Sequence, residues 1–231
     1  MIQNMRDLGG IRTMNGSRIR TGMLIRSAHL FQADEHDLEG ISAVIDLRTP
    51  GERREAHDRY LGRQYLPMPI FDDVTAGISR EESTQNQLLP DMACLYGRMM
   101  RECSDAFREV ILAIIRHDFS TGAVLWHCTE GKDRCGITTA LILESLGVGR
   151  DVILEDYLKT NLVNLPKAVR IRERAAAEHG EAFAESVYRA YIADEKYLFA
   201  AWDAMGNDYI HEKLRIPEDE LEPFRSKVLE T

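Results

Sequence analysis

Ten residues, His127-Cys128-Thr129-Glu130-Gly131-Lys132-Asp133-Arg134-Cys135-Gly136, constrain the fold of this chain more than any other stretch. The apolar run Ala123-Val124-Leu125-Trp126 leads into them and a helical pattern leads out. A strand that turns tightly and opens a helix aims successive backbone N–H groups at one point, and these groups and the helix dipole favour an anion there. Gly131 permits a backbone with φ > 0. Arg134 supplies a planar fork of donors for two phosphate oxygens. The same positive field favours an ionised Cys128, a nucleophile that needs no separate base. The spacing therefore predicts a phosphate cradle of Thr129, Glu130, Gly131, Lys132, Arg134 and Cys135 above the Cys128 nucleophile. It implies hydrolysis of phosphate esters through a phosphocysteine. His127 precedes the nucleophile and is expected to orient the loop.

The rest of the chain predicts an α/β fold: a central, mostly parallel sheet flanked by helices, with a helical C-terminal part. Asn15-Gly16 reads as a hairpin turn. Strands are expected at 23–26, 41–47, 64–70 and 123–127, a short helix at 33–39, and a polar loop over 72–90. Helices should start near Pro90-Asp91 and at a Ser104 cap, and the helix that leaves the loop should cover 136–146. Beyond residue 150, Pro166 and Pro217 predict helix starts, while Gly180 and Gly206 predict stops. Phe183, Val187, Tyr188, Tyr191 and Tyr197 fall at helical spacings in a segment, about 161–200, that is a candidate cover for the pocket. A chain of 231 residues is expected to form a single domain over 1–231.

The loop matches the HCxxGxxR pattern of cysteine-dependent tyrosine and dual-specificity phosphatases, and its Lys-Asp resembles the bacterial branch with HCxxGKDR. Asn4-Met5-Arg6-Asp7-Leu8-Gly9-Gly10 resembles that branch's NxRDLGG motif. Leu24-Ile25-Arg26-Ser27-Ala28 resembles its (L/Y)RSxxL segment, and Asp46-Leu47-Arg48-Thr49-Pro50-Gly51-Glu52 its DLRxxxE strand end. Gly206-Asn207-Asp208-Tyr209-Ile210 is a weaker match to a GSxxxYL pattern. The resemblance implies a phosphatase domain acting on phosphotyrosine, with phosphoserine, phosphothreonine or phosphoinositide and inositol phosphate as further substrates. It implies Asp133 as general acid, with Asp72 or Asp73 as rivals from the loop after a strand. The chain departs from the branch at Cys135, where a Thr or Ser hydroxyl usually assists release of the thiolate. This departure keeps two alternatives open: a phosphate-binding module with little turnover, and a thiol redox or arsenate-type enzyme.

The net charge of −9 argues against a nucleic-acid partner. No apolar stretch is long enough for stable membrane insertion, and no secretory signal is legible. Four cysteines without a secreted context suggest a cytoplasmic location, although the resemblance leaves export open. No Cys/His cluster has zinc-ligand spacing, so neither metal nor cofactor is expected. Five Arg against one Asp in the first 30 residues predict a mostly solvated basic face, with some Arg near the phosphate site.

Overall fold

In a computed structural model of the chain, residues 2–71, 89 and 91–231 are described. Asp72, Asp73 and nearly all of the expected 72–90 loop lie outside them.

The elements are β1 Arg6–Asp7, β2 Arg18–Ile19, β3 Leu24–Ser27, β4 Ile41–Asp46, α1 Pro50–Glu55, β5 Gln64–Pro67, α2 Met92–Glu102, α3 Ser104–Ile115, β6 Ala123–His127 and α4 Asp133–Ser145. Helices α5 Arg150–Leu158, α6 Asn161–His179, α7 Glu181–Tyr191 and α8 Glu195–Met205 follow, then a π-helical turn Tyr209–Lys213, α9 Glu218–Val228 and β7 Leu229–Glu230. The main sheet has the order β1-β3-β6-β4-β5. Only β1 runs antiparallel to its neighbour; β3, β6, β4 and β5 are parallel. A small antiparallel pair, β2–β7, joins the N-terminal hairpin to the C-terminus.

Strand residues alternate between the sheet faces. Leu24, Ala43, Ile45, Val124 and Trp126 enter the larger core with α2 to α5, α8 and α9. Ile25, Val44, Ala123 and Leu125 enter a smaller core with Leu30, Ala33 and Leu38. In register, His127 lies opposite Ser27 on one side and Asp46 on the other. The carboxyl ends of three parallel strands thus meet at the residue before Cys128, where ligand sites of open α/β sheets form.

Several boundaries differ from expectation. Residues 33–39 form turns, not a helix: Asp34 and Asp37 exchange the bonds of a helix start, but only i to i−3 turns follow and Gly40, at φ +75°, ends them before β4. Ser104 is not a cap: Cys103 holds that place, and its side chain makes no capping bond to the helix. Pro166 lies inside α6 rather than at its start. The bond lost there is from the carbonyl of Leu162, an exposed residue, where water can replace the donor. Strand β5 stops at Pro67, although Met68 and Ile70 still donate to the carbonyls of Asp46 and Leu47. Helix α4 begins three residues before the expected Gly136, so Asp133 and Arg134 form its first turn. Helix α1 was not expected. Its signal was local: Thr49 and Glu52 form a reciprocal capping box with Pro50 at the first turn.

Candidate active site

Gly131 sets the path of the loop. Its φ is +65°, and a Cβ there would lie 2.6 Å from the carbonyl oxygen of Ser27. The loop thus packs directly on the end of β3, which only glycine allows. Among the described residues, the backbone N–H groups of Thr129, Gly131 and Lys132 meet no protein acceptor. They precede the first turn of α4, whose own leading N–H groups have no intrahelical partner. Cys128 sits buried at the base of this loop.

On one side stands α1. Glu52 takes Arg134 in a two-pronged ion pair, with Nη1 to Oε2 at 2.6 Å and Nη2 to Oε1 at 2.7 Å. It also accepts from the Thr129 hydroxyl and from the Thr49 N–H at 2.9 Å. Burial works against the charge of Glu52, but Arg134, Thr129 and Thr49 outweigh it and hold the carboxyl down to about 2. The same pair raises the Arg134 pKa against the cost of its own burial. The fork of Arg134 is thereby fixed in one orientation.

On the other side, the loop carbonyls are held from the N-terminal motifs. The Asn4 amide donates to the carbonyls of Glu130 at 3.1 Å and Gly131 at 2.9 Å. Asn4 itself has φ +53°, a conformation Asn tolerates better than most residues. Arg26, wholly buried, donates to the Gly131 carbonyl at 2.8 Å and to Asp156 at 2.9 Å. Arg6 pairs with Asp156 as well, at 2.8 Å. Burial again opposes the Asp156 charge, and Arg26 and Arg6 overcome it and lower its pKa. Two of the five N-terminal arginines therefore brace the loop from behind.

The remaining loop side chains divide their work. Lys132 is wholly buried. Its ammonium lies 2.8 Å from Asp133 Oδ1 and donates to the Ile192 carbonyl at 3.0 Å, 5.4 Å from the centre of the Tyr197 ring. It ties the loop to the α7–α8 junction. Glu130 points to Lys167 of α6 at 2.8 Å. Asp133, partly exposed, accepts from the Tyr96 hydroxyl at 2.8 Å, and Tyr157 lies 2.8 Å beyond. With Tyr96 donating to Asp133, Tyr157 is the donor to Tyr96. Burial, then the Asp133 charge, pushes both tyrosines well above their usual range. Cys135 is buried, its thiol directed at the Trp126 carbonyl at 3.7 Å. Burial pushes that thiol up to about 11.

Next to Cys128 lies a buried charge cluster. His127 Nε2 is 3.1 Å from Asp58 and 3.8 Å from Asp46, while Nδ1 is 3.3 Å from the Cys128 carbonyl. Two carboxylates and an imidazole within 4.8 Å have the makings of a metal site. Arg48 already fills the cationic role, reaching Asp46 at 2.8 Å and Asp58 at 2.5 Å. The donor set does not fit a metal.

The α6–α7 hairpin reaches the loop through Lys167 and Ile192. Most of its aromatic stripe is core. Phe183, Val187 and Tyr191 pack within the hairpin, and Tyr197 packs beside Tyr96.

Comparison with known proteins gives the family. A sequence model described as the tyrosine phosphatase family matches residues 1–230. The chain belongs to this family. It is 34% identical over 174 residues to a Cupriavidus necator protein named for a tyrosine-protein phosphatase, a match covering 71% of this chain and 62% of that one. It is 28% identical over 197 residues to a triple specificity protein phosphatase of Mycobacterium tuberculosis, covering 68% and 66%. A tyrosine-protein phosphatase of Nostoc commune is 30% identical over 143 residues, covering 58% of this chain and 46% of its own length. The chain spans less than two thirds of each relative. Within the family's motifs, the N-terminal Asn4 and Arg6 and the strand-end Glu52 stand out as braces of the loop. The loop's own residues pointed to none of these three partners.

Proposed function

We propose that this chain is a cysteine-dependent phosphatase that hydrolyses phosphotyrosine and other phosphate monoesters through a phosphocysteine intermediate. One observation carries the reading: Cys128, unpartnered loop N–H groups and an Arg134 held by Glu52 share one loop at the sheet's carboxyl edge. In the first step the Cys128 sulfur attacks phosphorus. The S–P bond forms, the P–O bond to the alcohol or phenol breaks, and the leaving oxygen takes a proton from Asp133. In the second step Asp133 takes a proton from water, the water oxygen attacks phosphorus, and the S–P bond breaks to release phosphate and the thiolate. Arg134 and the loop N–H groups bind the equatorial oxygens throughout.

Asp133 is the preferred acid because it stands in the loop itself, with one oxygen engaged by Lys132 and Tyr96. Asp72 and Asp73 are its rivals. The triple specificity for which the Mycobacterium tuberculosis relative is named supports a substrate range wider than phosphotyrosine. The larger core runs from Leu8 to Val228, which supports one phosphatase domain. A chromogenic phosphate ester tests the proposal. Wild type should turn over, and Cys128→Ser should lose at least about 10³-fold in kcat while still binding vanadate. Vanadate binding without wild-type turnover would favour the phosphate-binding module, and Cys135 would be the first residue to question.

A further inference from the structure

Helix α6 presents an apolar stripe that no described residue covers. Leu162 is 80% exposed, Leu165 40% and Val169 42%, at spacings of three and four residues that share one face. Val163, 38% exposed, lies beside them. The helix's other face, through Asn164, Ala168 and Ala175, is buried. Residues 159–174 carry five cationic side chains, Lys159, Lys167, Arg170, Arg172 and Arg174, against one anionic, Glu173, in a chain whose net charge is −9. Lys167 and Arg172 are engaged with Glu130 and Glu181. Lys159, Arg170 and Arg174 are exposed.

An apolar stripe flanked by cations is the pattern of a helix that lies in the plane of a lipid surface. Among the described residues no helix is long and apolar enough to cross a membrane. We infer that α6 docks this protein on anionic phospholipid surfaces, with Leu162, Leu165 and Val169 in the headgroup boundary and Lys159, Arg170 and Arg174 on the lipid phosphates. The observation that favours lipid over a second copy of the chain is charge: an isologous contact would set these cations against their own copies, whereas an anionic surface complements them. The placement also bears on catalysis. Lys167 binds Glu130 of the loop, and Thr160, just before α6, is 3.5 Å from the Asn4 amide that holds the same loop. Both residues lie on the side of α6 away from the stripe, Lys167 being two positions, about 200° round the helix, from both Leu165 and Val169. Docking therefore holds the protein among membrane-borne phosphate monoesters without pressing the cradle against the lipid. That consequence rests on the proposed phosphatase reading; the docking does not.

Sedimentation of the full chain with phosphatidylcholine vesicles, with and without phosphatidylserine, tests the inference. Binding should require phosphatidylserine and weaken with salt. Arg170→Glu with Arg174→Glu, and separately Leu162→Asp with Leu165→Asp, should each reduce it at least about tenfold. Turnover of a soluble chromogenic ester should stay within about twofold of wild type in both variants. The charge variant leaves the apolar stripe intact and guards against misfolding of the other. No phosphatidylserine-dependent binding, or binding indifferent to the charge variant, overturns the inference. So does a concentration-dependent dimer that the Leu162→Asp, Leu165→Asp variant abolishes, because the stripe would then cover a second copy. Loss of ester turnover in wild type with vesicle binding intact would strike the phosphatase reading alone.

Discussion

The two walls of the active-site loop are both built from ion pairs, yet they do different work. The α1 wall is a single carboxylate, Glu52, on the side of the loop where Arg134 spreads its fork. The rear wall is a buried network in which Asp156 holds Arg26 and Arg6, while Arg26 and Asn4 hold loop carbonyls. Removing a piece of the first mis-aims Arg134, the proposed phosphate fork, in a loop that keeps its path. Removing a piece of the second strands a charge inside the protein. Burial decides which consequence follows. An orphaned buried charge costs several kcal/mol, whereas Arg134, once released, can still reach solvent.

The contrast is broken or sharpened by four substitutions. Asp156→Ala should have the largest effect, a loss of about 3–5 kcal/mol of stability in denaturant titration, because Arg26 is left buried without its partner. Protein that remains folded should keep most of its kcat. A stable variant with lost activity would reverse the roles assigned to the two walls.

Asp133→Asn comes next. It should slow esters of basic alcohols by about 10²-fold and esters of acidic phenols much less, since a general acid matters most for a poor leaving group. Equal slowing across a leaving-group series would move the acid to Asp72 or Asp73.

Glu52→Gln should lower kcat/KM by about tenfold, mainly through KM, with a loss of stability at neutral pH that is smaller than that of Asp156→Ala. Its acid behaviour has a definite sign. The folded carboxyl titrates at about 2, below its unfolded value. Its contribution is therefore complete above about pH 4.5 and is lost as pH falls through about 2. Acid titration of Glu52→Gln should show a shallower loss of stability across that window than wild type.

Cys135→Ser should change least, by under about threefold in single-turnover dephosphorylation, because the Cys135 thiol is directed at the Trp126 carbonyl. A large acceleration would mean that this position governs release of the thiolate, as the family's usual hydroxyl does.

The legible part of the site was contiguous. Cys128, Gly131 and Arg134 sit within seven residues, so loop closure costs little and local spacing carries the geometry. The strand before the loop and the helix after it followed from apolar runs and periodicity. The mostly parallel sheet followed from strands alternating with helical segments. Helix α1 was equally local, with its capping box written in Thr49-Pro50-Gly51-Glu52. Lys132 shows the opposite. Its position in the loop suggested a cation for substrate, but the fold buries it against Asp133, Tyr197 and the Ile192 carbonyl, a partner sixty residues away. Residues 33–39 differ for another reason: Asp34 and Asp37 exchange the bonds of a helix start, but Gly40, at φ +75°, turns the chain into β4 before a helix can extend.

By itself, the sequence determined the chemistry offered at the loop: a thiol, an arginine fork, and a glycine where a side chain would collide with Ser27. The tertiary structure alone decided which distant groups hold that loop. Glu52 reaches Arg134 across 82 positions, Asp156 reaches Arg26 across 130, and Asn4 reaches Gly131 across 127. Such pairings depend on strand order and register, which place the ends of β3, β4 and β6 side by side. No local propensity records which carboxylate will meet which arginine once those ends are brought together.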